Sequence, residues 1–242
     1  MVIKMNVILA QNLGFCYGVK RAIKLARDSA SPSVRTCTLG PIIHNPQMVA
    51  KLAAEGVTMV DDLSEMQEGT VIIRSHGVGP QVYEAAAAAG LEVVDATCPH
   101  VKKAQMAAHD LAAEGYDVVI VGEKCHPEVK SILEWSGSTA EVIESVEETQ
   151  QVKACGKLGI VAQTTFSGEK FRLIVATLLD RANDIKIART ICTATDQRLE
   201  AALAAARQVD KMLVIGGKNS GNTTRLAQLC AQVCPTEHIE TA

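Results

Sequence analysis

Aromatic side chains are scarce in this sequence and make up 3% of its 242 residues. Platforms for single-stranded nucleic acid stack bases on aromatic rings, so the shortage argues against such a platform. An excess of charge of one sign is also missing, because 24 lysines and arginines stand against 27 aspartates and glutamates. Without a basic excess or a polybasic run, we expect neither a nucleic acid nor a membrane surface as a partner.

Long hydrophobic runs are missing as well. No apolar stretch approaches the roughly 18 residues that a transmembrane helix needs. The opening, MVIKMNVILAQ, has too short an apolar part for a secretion signal and lacks a small-residue cleavage pattern. Residues 7–11 predict a first β-strand instead. We therefore expect a cytoplasmic protein.

Cysteine occurs eight times, but no CxxC pair does, which argues against a zinc ribbon or a thioredoxin motif. Without a signal peptide, the cysteines are expected to be thiols or metal ligands in a reducing compartment. Cys230 and Cys234 lie on a helical pattern and are read as packed helix residues. The sequence assigns no role to these two or to the remaining unplaced cysteines, Cys37, Cys125 and Cys155.

Apolar residues are present in sufficient number for a core, since 48% of the chain is hydrophobic and 21% is charged. Short apolar runs alternate with helical patterns rich in Ala, Leu, Glu and Lys. This alternation predicts an α/β fold with small, mostly parallel sheets and helices on both faces. The predicted strands are 7–11, 36–43, 69–75, 91–97, 116–122, 157–163 and 211–217.

An internal repeat starts at Cys16, Cys98 and Cys192. A glycine follows each cysteine after 24 residues, and His44, His126 or Ser220 follows after 28. The register predicts one α/β unit used three times with pseudo-threefold packing, over 1–97, 98–191 and 192–242. The last unit lacks a counterpart to the second half of the others. We therefore expect a C-terminally truncated sequence with an incomplete third unit, or a divergent unit that needs no closing strand.

The three repeated cysteines are the sharpest chemical feature. Each lies at a strand-to-helix corner, where a helix N-terminus favours a thiolate. Pseudo-threefold packing would bring the corners to one centre, where three thiolates could hold an iron–sulfur cluster. Any one of them, taken alone, could be a small buried hydrophobe. The prediction of a cluster depends on the repeat, because no compact ferredoxin motif is present.

Polar side chains follow several predicted strands and include His44, His76 and His126. Ligands of open parallel sheets bind at the carboxyl ends of the strands, and histidines, hydroxyls and amides can bind a diphosphate. The glycine-rich GGKNSGNT segment favours an anion without being a Walker A loop. Glu128 follows His126 at a predicted helix start. It either complements the helix dipole or donates a proton, with the Thr164 hydroxyl extending the relay.

These segments together resemble one family. FCYGVKRAI, PIIHNP, SHGV, DATCPHV, GEKCHPEV, AQTT, ICTAT and GGKNSGNT are similar to matching segments of the LytB-type 4-hydroxy-3-methylbut-2-enyl diphosphate reductases. These enzymes end the methylerythritol phosphate route to isoprenoids. The matches run from about residue 7 to residue 226 in the family's order. The family continues beyond this chain with a Ser-containing segment and a closing strand.

The resemblance implies a trefoil of three α/β units around a [4Fe-4S] cluster with an open iron. It implies reductive dehydroxylation of the allylic diphosphate to isopentenyl and dimethylallyl diphosphate, with reduced ferredoxin or flavodoxin as electron donor. Glu128, Thr164 and His126 would be catalytic, with protons arriving through Glu128. The implied cluster ligands are Cys16, Cys98 and Cys192, and the implied substrate contacts are His44, His76, His126, Thr164, Ser220 and Asn222.

Three other readings stay open at this point. A non-catalytic iron–sulfur or metal-binding scaffold would keep the cysteines without needing Glu128. A metal-free phosphate-ester enzyme would use the cysteines as core residues. An assembly module would bind a partner at the exposed edge of the last unit.

Overall fold

A computed structural model describes residues 6–153, 155–218 and 220–241, apart from the side chain of Cys155. The helices are α1 (Tyr17–Ser29), α2 (Pro46–Ala54), α3 (Pro80–Ala88), α4 (Pro99–Ala113), α5 (Pro127–Trp135), α6 (Gly168–Leu178), α7 (Thr193–Ala206) and α8 (Gly221–Ala231). The strands are β1 (Thr36–Leu39), β2 (Val57–Val60), β3 (Thr70–Ile73), β4 (Glu92–Asp95), β5 (Asp117–Val121), β6 (Glu141–Ile143), β7 (Cys155–Ala162), β8 (Ala182–Ala188), β9 (Met212–Ile215) and β10 (Thr236–Ile239). Short 3₁₀ turns occupy Leu63–Glu65, Glu147–Gln151 and Leu179–Arg181.

The strands form three small parallel sheets, which confirms the predicted α/β class. The first sheet has the order β2-β1-β3-β4 and the second has the order β6-β5-β7-β8. These two orders are the same pattern displaced by four strands. The third sheet pairs β9 with β10, again in parallel. Because β10, β6 and β2 occupy matching places, the repeat inferred from the cysteine spacing is visible in the strand topology.

The central strands of the second sheet are buried along most of their length, as expected for a parallel sheet with helices on both faces. Val119 and Ile160 pack with Ile174 of α6 on one face. Ile120 and Val161 belong to a separate apolar cluster with α4 and α5 on the other face. A sheet buried on both faces holds the loops at its carboxyl ends in fixed positions.

Proline sets the start of α2, α3, α4 and α5. Proline suits the first helical position because an N–H group there would have no partner within the helix, and because the φ of proline is already helical. The residue before each proline is then held outside the helix, at its N-terminus. Cys98 and His126 are such residues and form the N-caps of α4 and α5.

By compactness, the chain divides into two units. The larger unit holds residues 17–43 and 49–191, and the smaller unit holds the chain up to Cys16, His44–Met48 and everything from Cys192 onward. The division into 1–97, 98–191 and 192–242 stays a prediction. Within the described ranges, no helix is both long and apolar enough to cross a membrane.

The predicted strand at 7–11 is wrong. Its residues are irregular, and the side chains of Val7 and Leu9 are 78% and 73% exposed. In the two four-stranded sheets, the strand before the repeated cysteine pairs with the sheet's third strand, as β4 does with β3 and β8 does with β7. In the sheet of β9 and β10, no described strand fills that third place, so the apolar run has no partner.

The predicted set also omits four strands, β2, β6, β8 and β10. They are edge strands of their sheets. Only one side of an edge strand is paired, and these four strands carry short or interrupted apolar runs. The side chains of β8, for instance, are intermediate or exposed along its whole length, and its sequence, ANDIKIA, carries no continuous apolar run.

Candidate active site

Glu128 and Thr164 form a buried hydrogen-bonded pair, as the sequence predicted for a proton relay. Glu128 is the second residue of α5 and is 2% exposed, and Thr164 follows β7 and is 5% exposed. The Thr164 amide donates to Glu128 Oε1 over 2.6 Å, and the Thr164 hydroxyl donates to Oε2 over 2.9 Å. Both carboxyl oxygens are therefore oriented by one residue of a neighbouring loop.

Burial raises the pKa of the Glu128 carboxyl to about 7, against the two hydrogen bonds from Thr164, and the negative charge of Glu123 raises it further. A buried carboxylate is costly, so the proton is retained up to neutral pH. A carboxyl group with this pKa can give and recover a proton under physiological conditions. The environment therefore suits an acid catalyst better than a fixed charge at a helix N-terminus.

His126 and His76 lie side by side at the carboxyl ends of the two four-stranded sheets. Their ring centroids are 5.5 Å apart and the rings are nearly perpendicular. The His126 ring caps α5, because its Nδ1 accepts the Glu128 amide over 3.1 Å. In a neutral imidazole the proton then resides on Nε2. His126 thus presents an N–H donor from a fixed ring.

Two residues that the sequence did not single out connect these elements. Gln105 of α4 is fully buried, and its Nε2 donates to Ser131 Oγ over 3.1 Å. The Ser131 hydroxyl is the donor to two backbone carbonyl oxygens, that of His76 at 3.1 Å and that of Glu128 at 2.8 Å. The loop of His76 and the first turn of α5 are therefore tied to α4. No motif marks this contact, because Ser and Gln on helices have many ordinary uses.

Cys98 lies half-buried at the N-terminus of α4, against the first turn of α1. The approach is close because Gly18 has no side chain. An added Cβ at Gly18 would overlap Cys98 Sγ and lie 3.2 Å from Cys98 Cβ. Arg21 of α1 donates to the Thr97 carbonyl over 3.1 Å and to the Asp95 carbonyl over 3.3 Å. These contacts hold the α1 backbone over the cysteine.

We expect Gly18→Ala to displace Cys98 and to lower thermal stability by several degrees, since the added methyl has no space. Gly168→Ala is the matched control. It also adds a methyl to a helix, but there the nearest atom would be 3.9 Å away, so the change should be neutral or slightly stabilising. Thermal unfolding of both variants and the alkylation rate of Cys98 check this. Unchanged melting and alkylation in Gly18→Ala would contradict the packing argument.

The other predicted site residues belong to the smaller unit: Cys16, His44, Cys192, Ser220 and Asn222. Cys16 and Cys192 are half-buried and directly precede α1 and α7. Ser220 is the N-cap of α8 and accepts the Thr223 amide. Asn222 is exposed in the first turn of α8, and Asn219 of the same segment lies outside the described residues.

His44, His126 and Ser220 occupy one repeat position, but they do not share one local role. His126 and Ser220 cap the helices that follow them. In the first repeat, Asn45 takes over this contact, because its Oδ1 accepts the Met48 amide over 2.8 Å at the start of α2. The His44 ring is therefore not needed as a helix cap. It remains half-buried beside the helix start.

Repeated parallel sheets that carry a proton-holding carboxyl group beside paired imidazoles define an α/β enzyme. The family model described as LytB protein matches residues 7–242. Two proteins named 4-hydroxy-3-methylbut-2-enyl diphosphate reductase are each 50% identical. The one from Pelobacter propionicus aligns over 98% of this chain and 85% of its own length, and the one from Citrifermentans bemidjiense aligns over the same shares.

Two solved structures are similar as well. One is described as (E)-4-hydroxy-3-methyl-but-2-enyl diphosphate reductase, the terminal enzyme of the non-mevalonate pathway. It has a TM-score of 0.80 and 45% identity, covering 97% of this chain and 85% of the other. The Plasmodium falciparum E-1-hydroxy-2-methyl-but-2-enyl-4-diphosphate reductase has a TM-score of 0.85 and 29% identity, covering 93% and 73%. The chain belongs to the LytB family and is an oxidoreductase.

Proposed function

We propose that this chain reduces 4-hydroxy-3-methylbut-2-enyl diphosphate to isopentenyl and dimethylallyl diphosphate. The carbon–oxygen bond of the allylic hydroxyl breaks, two electrons and two protons enter, and the oxygen leaves as water. The observation that carries the proposal is the buried Glu128 carboxyl, which Thr164 orients and which keeps a proton up to about pH 7. The relatives named for this reaction supply the substrate.

Glu128 is proposed as the proton donor to the departing hydroxyl. Hydroxide is a poor leaving group, so protonation of the oxygen as the bond breaks lowers the barrier. Thr164 can pass the proton, because a hydroxyl both donates and accepts a hydrogen bond. Burial keeps water away from the pair and preserves the proton for the substrate.

His76 and His126 are proposed to bind the diphosphate, together with His44, Ser220 and Asn222. Imidazole N–H groups and hydroxyls donate to phosphate oxygens, and a protonated imidazole adds a positive charge. The fixed His126 ring offers its Nε2–H without losing much conformational freedom on binding. Anchoring the diphosphate in this way positions the hydroxyl at the other end of the substrate for proton transfer.

Cys16, Cys98 and Cys192 are proposed as the ligands of a [4Fe-4S] cluster. The donor set fits, since all three are half-buried thiols that directly precede a helix. A helix N-terminus favours the thiolate that an iron–sulfur cluster requires. When bound, such a cluster would supply electrons one at a time and an iron that acts as a Lewis acid. Reduced ferredoxin or flavodoxin is proposed as the electron source, in the cytoplasm.

The test is iron and acid-labile sulfide content of the anaerobically purified chain, followed by turnover of the allylic diphosphate with a chemical reductant. We expect about four iron and four sulfide per chain and formation of both five-carbon products. Iron and sulfide without products would favour the non-catalytic iron–sulfur scaffold. Absence of both elements from anaerobic protein would refute the assignment of the three cysteines.

A further inference from the structure

A crevice of about 640 Å³ opens within the larger unit, at the carboxyl ends of the first sheet. Its walls include Gly40, Asp61 and Arg74, the first residues after β1, β2 and β3. Helices α3 and α5 complete it. The volume is in the range of small-molecule sites, which is roughly 300–1,000 Å³.

The strand order places this crevice where parallel α/β sheets bind ligands. In the order β2-β1-β3-β4, the chain moves from β1 to one neighbour and then crosses to the other side of β1 for β3. Successive connections therefore leave a gap at the carboxyl ends of β1 and β3, which is the topological switch point. Gly40 and Arg74 stand on the two sides of that gap. An added Cβ at Gly40 would lie 2.6 Å from Arg74 Nη1, so the guanidinium packs on the bare backbone.

Arg74 brings a half-buried positive charge into the crevice and forms no salt bridge among the described residues. Its Nε is buried, and no described residue accepts a hydrogen bond from it. Burial lowers the pKa of the guanidinium, and the Glu134 charge opposes this effect. The Arg74 side chain lines the crevice, so a bound oxyanion would give its guanidinium a charged acceptor there.

The second sheet provides an internal comparison, because Gly122 and Gln163 follow β5 and β7 at the corresponding places. There an added Cβ at Gly122 would lie 2.7 Å from Gln163 Cβ. Gln163 is satisfied by its own loops, since it accepts the Glu123 amide over 2.9 Å and donates to Thr165 Oγ1 over 3.1 Å. The switch point of the second sheet is thus closed by an uncharged, hydrogen-bonded side chain. That of the first sheet presents a cation.

The polarity and charge of the other lining residues limit the class of ligand that the crevice can bind. Met66, Val78 and Val82 supply an apolar surface. Asp61, Asp62 and Glu134 also line the crevice, against Lys130 and Arg74. A polyanion would meet these carboxylates, whereas a single oxyanion can pair with Arg74. We infer that the crevice binds a small molecule with one oxyanionic group, a phosphate monoester or a carboxylate, on an apolar body, and that Arg74 anchors it.

Calorimetric titration of the full chain with phenyl phosphate and with benzoate tests this inference. We expect Arg74→Gln to weaken the binding of the preferred probe at least tenfold. Arg172→Gln, which removes an exposed arginine of α6 outside the crevice, should leave the affinity unchanged. Weak binding at the histidines is common to all variants and cancels in the comparison. The probe that binds more tightly identifies the oxyanion as phosphate or carboxylate.

Two further measurements keep the inference falsifiable. Arg74→Gln should melt at or above the wild-type temperature in anion-free buffer, because it removes a buried charge. Arg74→Lys keeps the charge, loses the planar fork and should bind with intermediate affinity. Equal affinities in wild type and Arg74→Gln, or no binding of either probe to the wild type, would overturn the assignment. These binding and melting measurements do not depend on turnover at Glu128, so the proposed function is tested separately.

Discussion

Cys98→Ser should leave the anaerobically purified chain with little or no iron and sulfide and without a cluster absorption band. Serine keeps the size of the side chain but replaces a soft, readily ionised thiol by a hydroxyl that stays protonated at neutral pH. The position tolerates no compensating shift, since α1 packs directly against it at Gly18. Iron and sulfide analysis with the absorption spectrum measures the effect, and turnover should be lost with the cluster.

Cys125→Ser is the matched control for this substitution. Cys125 is exposed and lies on the loop directly before His126. Its substitution is chemically the same as that of Cys98, but Cys125 does not lie at a repeated position. We expect its iron and sulfide content to equal that of the wild type. Normal content in Cys98→Ser would remove Cys98 from the ligand set, and loss in both variants would point to general instability of the chain.

Glu128→Gln should retain the cluster and bind substrate but turn over roughly 100-fold more slowly or worse, as expected when a general acid is lost. Glutamine has the shape of the protonated carboxyl group. Its oxygen can accept the Thr164 amide and its Nε2 can donate to the Thr164 hydroxyl, so the local structure should persist. Single-turnover rates and substrate affinity separate the two properties. A rate near that of the wild type would exclude Glu128 from proton transfer.

Glu169→Gln controls for the charge at a helix start. Glu169 is the second residue of α6, as Glu128 is of α5, but it is exposed. If the acid in this position only complemented the helix dipole, both substitutions would have similar small effects, of about 0.3–1 kcal/mol on stability. We expect Glu169→Gln to behave in this way and to leave turnover unchanged.

The same carboxyl group should also make stability depend on pH. Its pKa is raised to about 7 in the folded chain, so the folded state binds a proton that the unfolded state releases above about pH 4.5. The stabilisation is complete below that pH and is lost as the pH rises through 7. Glu128→Gln should therefore match the wild type at low pH and exceed it by up to about 3 kcal/mol at pH 8. A constant difference between pH 5 and 8, measured by urea unfolding, would contradict the raised pKa.

Local apolar runs were sufficient to predict the central strands β1, β3, β5 and β7. In the structure, the prolines after Cys98 and His126 begin two helices, and this effect on the backbone is contained within one residue. The equal spacing from Cys16, Cys98 and Cys192 indicated the repeat, and the displaced strand orders carry it into three dimensions. The apolar pattern does not predict edge strand β8, because none of its side chains is fully buried and its sequence has no continuous apolar run.

The apolar run 7–11 shows the limit of such patterns. Its alternation and composition are those of a strand, but a strand also needs a neighbour whose free backbone groups are in register. Pairing is a property of two segments. The residues of the run alone therefore do not show whether a neighbouring strand pairs with it.

By itself, the sequence determined the α/β class, the repeat and most of the candidate site residues, because each depends on residue type and spacing along the chain. Only the tertiary structure decided the ionisation of these residues and their access to a ligand. Glu128 is an acid with a near-neutral pKa because α5 and the Thr164 loop bury it together, and Arg74 faces a crevice while Gln163 closes the equivalent place. Burial and hydrogen bonding come from segments that are distant in sequence, so the ionisation of a carboxyl group and the access to a cation are settled only when the chain has folded.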